Sequence, residues 1–234
     1  MTRLKKLQKK IGIYLFWFIL ITSFCFFAVL IILKANGWQL NHRNWNLVQT
    51  GMIVLNSQSQ STTVKVNGKI YESNYPIKIS NLSPGYYDVQ VTAEKYQGWQ
   101  KTVEVKQGFA SINDNIVLFL ESPSETDVPS NITLENLQKG TPKPELEVRQ
   151  KEIFYQGNFV TRFSEDIVMA TLYTDNHHII FQFADELRVI DLDGSNNKLL
   201  AKLTSIEPTS VSFDDNGKII YFIDQNKVLG KIIR

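Results

Sequence analysis

The sequence predicts a mainly β protein with a single N-terminal transmembrane helix, a small antiparallel β-sandwich and a C-terminal unit of two repeats like β-propeller blades. Three observations carry this prediction. Residues 11–33 hold no charged side chain, residues 52–119 alternate apolar and polar positions, and the pattern of residues 173–183 returns 40 positions later. We divide the chain into a basic tail (1–10), a transmembrane helix (11–33), a stalk (34–50), a β-sandwich (51–120), a linker (121–145) and the repeats (146–234).

The apolar segment 11–33 is long enough to cross a bilayer, since 23 residues at about 1.5 Å each give roughly 34 Å. A signal peptide also places basic residues before an apolar run, but its apolar core is shorter and a small-residue cleavage site follows. The residues after 33 show no convincing site of this kind, which favours an uncleaved anchor.

The charges that flank this segment predict its orientation. Five basic residues precede it and only Lys34 and Arg43 follow closely, so the N-terminus is expected inside and the chain from about residue 34 outside the cell. We therefore predict a single-pass protein of the cell membrane. The residues of this topology signal are Arg3, Lys5, Lys6, Lys9 and Lys10.

The net charge of +2 is unevenly distributed, with +5 in residues 1–10 and −3 in the remainder. The outer part therefore lacks the basic surface of a nucleic-acid-binding protein, and no nucleic acid is predicted as a partner. Cys25, the only cysteine, lies within the apolar segment. This position excludes an intramolecular disulfide and an external thiol nucleophile.

The stalk holds Trp38 and Trp45 among amide side chains, with Trp38 at the level where aromatic belts form. Regular patterning begins after it. From residue 52, apolar side chains recur at every second position in short segments, which is typical of antiparallel strands with one buried face. About 70 residues of this kind suffice for a small sandwich.

Two turns punctuate these strands. Asn67-Gly68 predicts a type I′ hairpin turn, because both residues tolerate positive φ. Pro84-Gly85 predicts a tight reversal, because proline fixes φ and the following glycine accepts a positive φ.

The order of motifs in residues 51–120 resembles the PEGA domain, a small surface-exposed β module of bacterial and archaeal envelope proteins. The resemblance rests on VKVNGK, NLSPGYYDVQV, EKYQGW and a closing VEVKQG. Lys95 stands where the family usually has a glycine, and residues 59–62 retain none of the four residues that name the family. The resemblance implies a surface role. Its turn and aromatic positions are Asn67, Gly68, Pro84, Gly85, Tyr96 and Trp99.

The aromatic residues of this region have two interpretations. Tyr86, Tyr87, Tyr96 and Trp99 either pack in the core and turns, which we favour, or form an exposed platform for a glycan or peptide. Alternation directs Tyr87 inward and Tyr86 outward, so Tyr86 is the candidate exposed binding aromatic.

Residues 121–145 contain four of the seven prolines and many small polar residues, which is typical of a spacer. Within this spacer, ITLENL at residues 132–137 can also pair as a short strand.

The segments YTDNHHIIFQF at 173 and FDDNGKIIYFI at 213 align without gaps. A strand that follows an acidic turn every 40 or so residues indicates propeller blades. The arrangement is similar to TolB-type β-propellers, with Asp193-Gly194 and Asn216-Gly217 at the turns. Residues 146–234 supply about two blades, whereas closure usually takes at least four. A blade remnant packed as a small sandwich, a domain completed by self-association, and a piece of a longer protein all stay open.

No catalytic residue, metal ligand or cofactor site is predicted. DLDGSNN at 191–197 resembles the start of a calcium loop, but its glycine falls at the fourth position and Lys202 occupies the twelfth, so a hairpin turn is favoured. His177 and His178 are adjacent on a strand and point to opposite faces, so they do not share a metal ion. Motifs for a serine nucleophile, a phosphate loop or a zinc protease are absent from the sequence.

These observations favour a non-enzymatic, membrane-anchored surface protein that presents β modules for binding or scaffolding in the cell envelope. The expected partners are a cell-wall polymer or an envelope protein, with homo-oligomers through the blade-like repeats as a further possibility. Two alternatives stay open. One is a membrane-anchored sensor whose signal passes to a second protein at the basic tail, and the other is an enzyme whose site is completed by oligomerisation.

Overall fold

The computed structural model describes residues 2–41, 45–57, 59, 61–71, 75–139 and 144–234; the side chains of residues 2–11 and 41 lie outside this description. The fold is mainly β, with an apolar N-terminal helix followed by small antiparallel sheets, as the sequence predicts. No sheet among the described residues closes into a barrel or propeller. The basic residues of the topology signal fall outside the described side chains.

The described chain forms two compact units. One comprises residues 1–54, 78–86 and 104–112, and the other comprises residues 55–77, 87–103 and 113–234. Several strands of the sandwich region pass from one unit to the other.

Helix α1 (Thr2–Ala35) is longer than the predicted span at both ends. Its stretch Gly12–Ala35 has the length and composition of a membrane-crossing helix, and its side chains are not buried by the rest of the protein. The helix therefore suits a membrane anchor or a signal peptide. It ends where Gly37 adopts a φ of +77° and donates its N–H to the carbonyl oxygen of Lys34 at 3.1 Å, an arrangement that glycine favours after helix ends.

Residues 38–41 and 46–49, predicted to be part of a stalk, pair as a two-stranded antiparallel hairpin. Strands β1 (Trp38–Asn41) and β2 (Asn46–Gln49) pair with Leu40 opposite Leu47. His42 and Arg43 lie outside the described residues. Four residues per strand are too few to show a period of two, so the sequence pattern does not predict these strands.

The sandwich region folds into two antiparallel sheets. One has the strand order β6-β3-β9 and the other β5-β4-β7-β8. Buried and exposed residues alternate along their long strands, which explains the period of two in the sequence. The strands are β3 (Gly51–Ser57), β4 (Thr63–Val66), β5 (Lys69–Tyr71), β6 (Ile77–Leu82), β7 (Gly85–Thr92), β8 (Trp99–Val105) and β9 (Ala110–Ile116).

The remaining residues form three further sheets. Their orders are β11-β12-β13, β14-β15-β16-β17 and β10-β20-β19-β18, all antiparallel. The two four-stranded sheets carry the 40-residue repeat, which places β15 and β19 in equivalent positions. The elements are β10 (Ser124–Thr126), α2 (Leu134–Lys139), β11 (Leu146–Arg149), β12 (Glu152–Tyr155), β13 (Asn158–Arg162), β14 (Ile167–Leu172), β15 (His178–Phe183), β16 (Glu186–Asp191), β17 (Lys198–Lys202), β18 (Val211–Phe213), β19 (Ile219–Asp224) and β20 (Lys227–Ile232).

The sheet β14–β17 lies between the other two. Ile180 and Val189 on one of its faces share a core with Ile220 and Phe222 of the β18–β20 sheet. Residues on its other face, such as Ile179, pack in a second core with the β11–β13 sheet. Burial on both faces explains why three successive residues of β15, Ile179, Ile180 and Phe181, are apolar, with no alternation.

The segment 121–145, predicted as a linker, contributes two elements to this region. Strand β10 pairs with β20 through Ser124 opposite Ile232, so part of the linker completes a sheet. The alternative prediction of a strand at 132–137 is wrong, because the segment begins helix α2. Thr133 caps this helix, accepting the N–H of Asn136 on its hydroxyl at 3.3 Å.

Candidate functional site: the Asp191 cluster

A group of buried and partly buried side chains joins the start of β8 to the end of β16. We call it the Asp191 cluster, because the Asp191 carboxylate receives most of its hydrogen bonds. All of its members lie in the second unit. They are Trp99, Asp175, His178, Asp191, Ser195 and Asn196.

Trp99 brings the sandwich region into the cluster. As the first residue of β8, it lies on the same strand face as Val103 and Val105, and only 5% of its surface is exposed. Its indole Nε1–H donates to Asp191 Oδ2 at 3.1 Å. An indole N–H buried in this way needs an acceptor, and here the acceptor comes from a residue 92 positions further along the chain.

His178 lies between two carboxylates. Its Nδ1 is 2.6 Å from Asp175 Oδ2 and its Nε2 is 3.3 Å from Asp191 Oδ1. The backbone N–H groups of His177 and His178 also donate to Asp175 Oδ1, at 2.8 and 3.2 Å, which fixes the Asp175 carboxylate in the turn before β15. Phe119 and Tyr173 meet the His178 ring edge to face.

The electrostatics of the cluster favour a charged imidazole. Burial lowers the pKa of His178, but the hydrogen bonds and charges of Asp175 and Asp191 outweigh this effect and raise the pKa to about 9. Burial raises the pKa of Asp175, but its bond to His178 prevails and holds the pKa below the usual value of 3.8. At neutral pH the cluster therefore contains an imidazolium between carboxylates.

Further bonds surround the cluster. Lys101 Nζ lies 2.6 Å from Asp193 Oδ2, and the backbone N–H of Gln100 donates to Asn196 Oδ1 at 2.9 Å. Burial raises the pKa of Asp193, but the bonds to Lys101 and Ser195 outweigh this effect and hold the pKa below the usual value of 3.8. Strand β8 is thus attached to the β16–β17 turn at several successive residues.

The segment 117–121 adds backbone bonds to the same junction. Gln97 donates its N–H to the carbonyl oxygen of Phe119 at 2.8 Å, and Glu121 donates to that of Lys95 at 3.0 Å. Leu120 donates to the carbonyl oxygen of Ile233 at 2.8 Å, beyond the end of β20. The segment therefore bonds on one side to the loop before β8 and on the other to the C-terminal sheets.

The geometry of the cluster suits a structural role. Because both ring nitrogens of His178 face carboxylates, the imidazole has no lone pair with which to bind a metal ion or accept a proton. The cavity lined by Trp99, Phe119 and Asp191 measures about 10 Å³, too small for a substrate. Among the described residues, no group of three or more His, Cys, Asp or Glu side chains has the arrangement of a metal site.

The turn positions singled out in the sequence lie between strands. Asn67 and Gly68 have φ values of +47° and +79° and join β4 to β5, and Asn67 Oδ1 accepts the N–H of Asp88 at 2.8 Å. Pro84 and Gly85 lie where the chain leaves β6 and enters β7 in the other sheet, with a φ of +151° at Gly85.

The aromatic positions separate into buried and exposed residues. Trp99 is buried, and Tyr96 is partly buried in an isolated antiparallel bridge with Leu120. Tyr86 is 72% exposed. These residues therefore do not form one exposed platform, and Tyr86 alone of the three presents its ring to solvent.

The sequence analysis did not identify His178, Asp175 or Asp191 as partners. The two histidines were predicted to be adjacent on a strand, but His177 is exposed in the turn before β15 and only His178, which is buried, belongs to the strand. The spacing Asp175-x-x-His178 is a usable local signal, because a carboxylate that caps a turn can reach the side chain three residues later. No local sequence pattern indicates that Trp99 hydrogen-bonds to Asp191, because the two residues are 92 positions apart.

One comparison with known families identifies the sandwich region. Residues 50–115 match the PEGA domain. The match confirms the resemblance seen in the motifs, and it indicates a cell-surface or envelope module. No curated protein matches the chain. The resemblance of the C-terminal repeats to TolB-type blades stays a prediction.

Trp99 lies within the matched PEGA residues, whereas Asp175, His178 and Asp191 lie outside them. The Asp191 cluster is therefore a junction between PEGA strand β8 and the C-terminal sheets. Lys95, where the family usually has glycine, has a φ of +68° in the loop before β8. The lysine thus occupies the backbone conformation for which glycine is favoured.

Proposed function

We propose that this protein is a non-enzymatic, single-pass membrane protein of the cell envelope. In this proposal, helix α1 is an uncleaved anchor with its N-terminus inside, and the chain from about residue 34 lies outside the cell. The PEGA domain and the C-terminal sheets together present a binding or scaffolding surface. The partner is a cell-wall polymer or another envelope protein.

The observation that supports a scaffolding role is the Asp191 cluster. A chain that only tethers two modules needs no fixed angle between them, and a flexible linker is sufficient. Here PEGA strand β8 reaches the C-terminal sheets through a buried indole, a buried imidazolium and an ion pair. Burying charged groups is costly unless every partner is in place, so such contacts favour one arrangement of the start of β8 against the C-terminal sheets over others.

The same cluster supports a role without catalysis. His178 is a buried histidine, and each of its two ring nitrogens contacts a carboxylate. A general base needs a free lone pair near its substrate. The Asp191 cluster therefore offers a rigid joint and not a reactive group.

Binding can be tested with the full chain in lipid nanodiscs. The nanodiscs are mixed separately with purified wall polymer, followed by sedimentation, and with detergent-solubilised envelope proteins, followed by crosslinking and capture. Sedimentation with the polymer would support a wall-binding module, and capture of one discrete protein would support an assembly role. If neither occurs over a range of salt concentrations, the proposal of a binding surface is wrong.

Two matched variants locate the binding surface. Tyr86→Ala removes an exposed aromatic ring from the PEGA domain, and Phe159→Ala removes one from the C-terminal sheets. If the PEGA domain carries the contact through its exposed aromatic, Tyr86→Ala weakens binding and Phe159→Ala does not. Light scattering of the same samples measures whether copies of the protein associate. Association through the C-terminal sheets stays a prediction.

A further inference from the structure

The hairpin β1–β2 is apolar on one face. Leu40 and Leu47 are directly opposite each other, and Trp38 lies two residues before Leu40 on the same face. Leu40 is 41% exposed and Leu47 56%, and Trp38 is also exposed. A two-stranded hairpin buries little by itself, so three large apolar side chains on one face need a partner or an apolar environment.

Hydrogen bonds fix this hairpin to the end of helix α1. The N–H and the hydroxyl of Thr50 both donate to the carbonyl oxygen of Gly37, each at 2.8 Å. Gln49 Nε2 donates to the carbonyl oxygen of Asn36 at 3.1 Å, and Asn36 Nδ2 donates back to that of Ile32 at 2.8 Å. The base of the hairpin is therefore closed directly onto the last turn of the helix.

An open groove of about 610 Å³ separates the helix end from the hairpin. Leu30 precedes the helix end by five residues, so at about 1.5 Å per residue the groove follows roughly the last 7.5 Å of the helix. The groove has the volume of a small-molecule site. The residues that line it and enter the argument are Leu30, Leu33 and Lys34 of the helix and Trp38, Leu40 and Leu47 of the hairpin.

We infer that this groove holds a phospholipid of the leaflet at the C-terminal end of helix α1, with the hairpin lying in the membrane interface. The leucines and Trp38 contact the acyl chain, and the Lys34 ammonium pairs with the headgroup phosphate. This inference rests on the proposed function, in which the helix is a retained anchor.

Two physical constraints select the bilayer as the occupant. The groove continues the apolar surface of Gly12–Ala35, none of which is buried within the described protein, so whatever surrounds the helix also reaches Leu30 and Leu33. The hairpin has two open strand edges whose backbone groups need water or headgroups, so it cannot enter the hydrocarbon core. The interface satisfies both constraints, and it is the region that tryptophan and long basic side chains favour.

Site-directed spin labelling of the full chain in nanodiscs of phosphatidylcholine and phosphatidylglycerol tests this inference. The native Cys25, exposed on the helix, serves as the depth reference. On a Cys25→Ser background, a nitroxide is attached at Leu40→Cys or Leu47→Cys, and at Asn46→Cys as the matched control, since Asn46 is exposed, lies on the opposite hairpin face and does not line the groove. Accessibility to oxygen, which enters lipid, is compared with accessibility to a water-soluble nickel chelate.

The expected result is loss of nickel accessibility at positions 40 and 47 with oxygen accessibility retained, while position 46 stays open to nickel. Equal nickel accessibility at all three hairpin positions would overturn the inference. So would protection from both reagents at 40 and 47, which would show that protein covers this face. A label at Cys25 that is open to nickel would instead refute the anchor itself, so the two failures are distinguishable.

Discussion

Replacing His178 with glutamine is expected to remove the alkaline part of the pH dependence of stability. Burial lowers the pKa of His178, but Asp175 and Asp191 raise it from 6.5 to about 9. Because the folded pKa lies above the unfolded one, the stabilisation is complete below pH 6.5 and is lost as the pH rises through about 9. At about 1.36 kcal/mol per pKa unit, this loss amounts to roughly 3 kcal/mol of unfolding free energy.

The assay is urea unfolding of the full chain in detergent micelles between pH 6 and pH 10, followed by tryptophan fluorescence. Trp99 reports on the cluster directly, because its indole bonds to Asp191. Burial raises the pKa of Tyr173 to about 12, so this neighbouring phenol does not ionise in the measured range. His177→Gln is the matched control, since it changes the adjacent, exposed imidazole.

The wild type and His177→Gln should lose stability in parallel across this range. His178→Gln should start lower, because it leaves two carboxylates without their cation, and should then change little as the pH rises. The reasoning is refuted if the unfolding free energies of the wild type and His178→Gln fall with the same slope between pH 6.5 and pH 10.

Three further changes have defined outcomes in the same unfolding assay. Trp99→Phe removes the indole N–H that donates to Asp191 and should lower the unfolding free energy by about 1–3 kcal/mol. Trp45→Phe changes an exposed ring and should lower it little. Equal effects of the two variants would contradict the junction. Lys95→Gly should raise the unfolding free energy by about 0.5–1 kcal/mol. The left-handed conformation of residue 95 is strained for lysine, and relieving this strain outweighs the entropy that glycine loses on folding. A loss of stability would mean that the lysine side chain contributes contacts. Gly51→Ala should destabilise by at least about 1–3 kcal/mol, since its Cβ would lie 2.8 Å from the carbonyl oxygen of Phe109; a neutral result would show that this backbone yields.

Local patterns predict the parts of the fold in which neighbouring residues decide the structure. Alternation gives the buried faces of the PEGA strands, and Asn67-Gly68 adopts the positive φ values that its turn requires. The 40-residue repeat places Ile179 and Ile219 at corresponding positions of β15 and β19. The alternation and the turn are signals within about ten residues, and the repeat compares two segments of eleven residues each.

Contacts between distant residues were not predictable in this way. Strand β10 exists because Ser124 pairs with Ile232, and two of its three residues, Ser124 and Glu125, have little strand propensity. The Asp191 cluster needs Trp99 and Asp191, which are far apart in sequence and lie in segments with separate patterns. The hairpin β1–β2 combines tryptophan, leucine and amide side chains in strands too short to show a period.

The linker predicted from composition begins one residue after a structural joint. Within residues 117–120, Phe119 packs in the core of the C-terminal sheets, and the backbone N–H of Leu120 donates to the carbonyl oxygen of Ile233. On the PEGA side, the backbone of Gln97 and Lys95 hydrogen-bonds to the same segment. The prolines of residues 121–145 therefore lie within a connection whose two ends belong to one compact unit. The Asp191 cluster and segment 117–121 together set the orientation of PEGA strand β8 against the C-terminal sheets. We expect the stability of this junction to depend on the charge of the His178 imidazole.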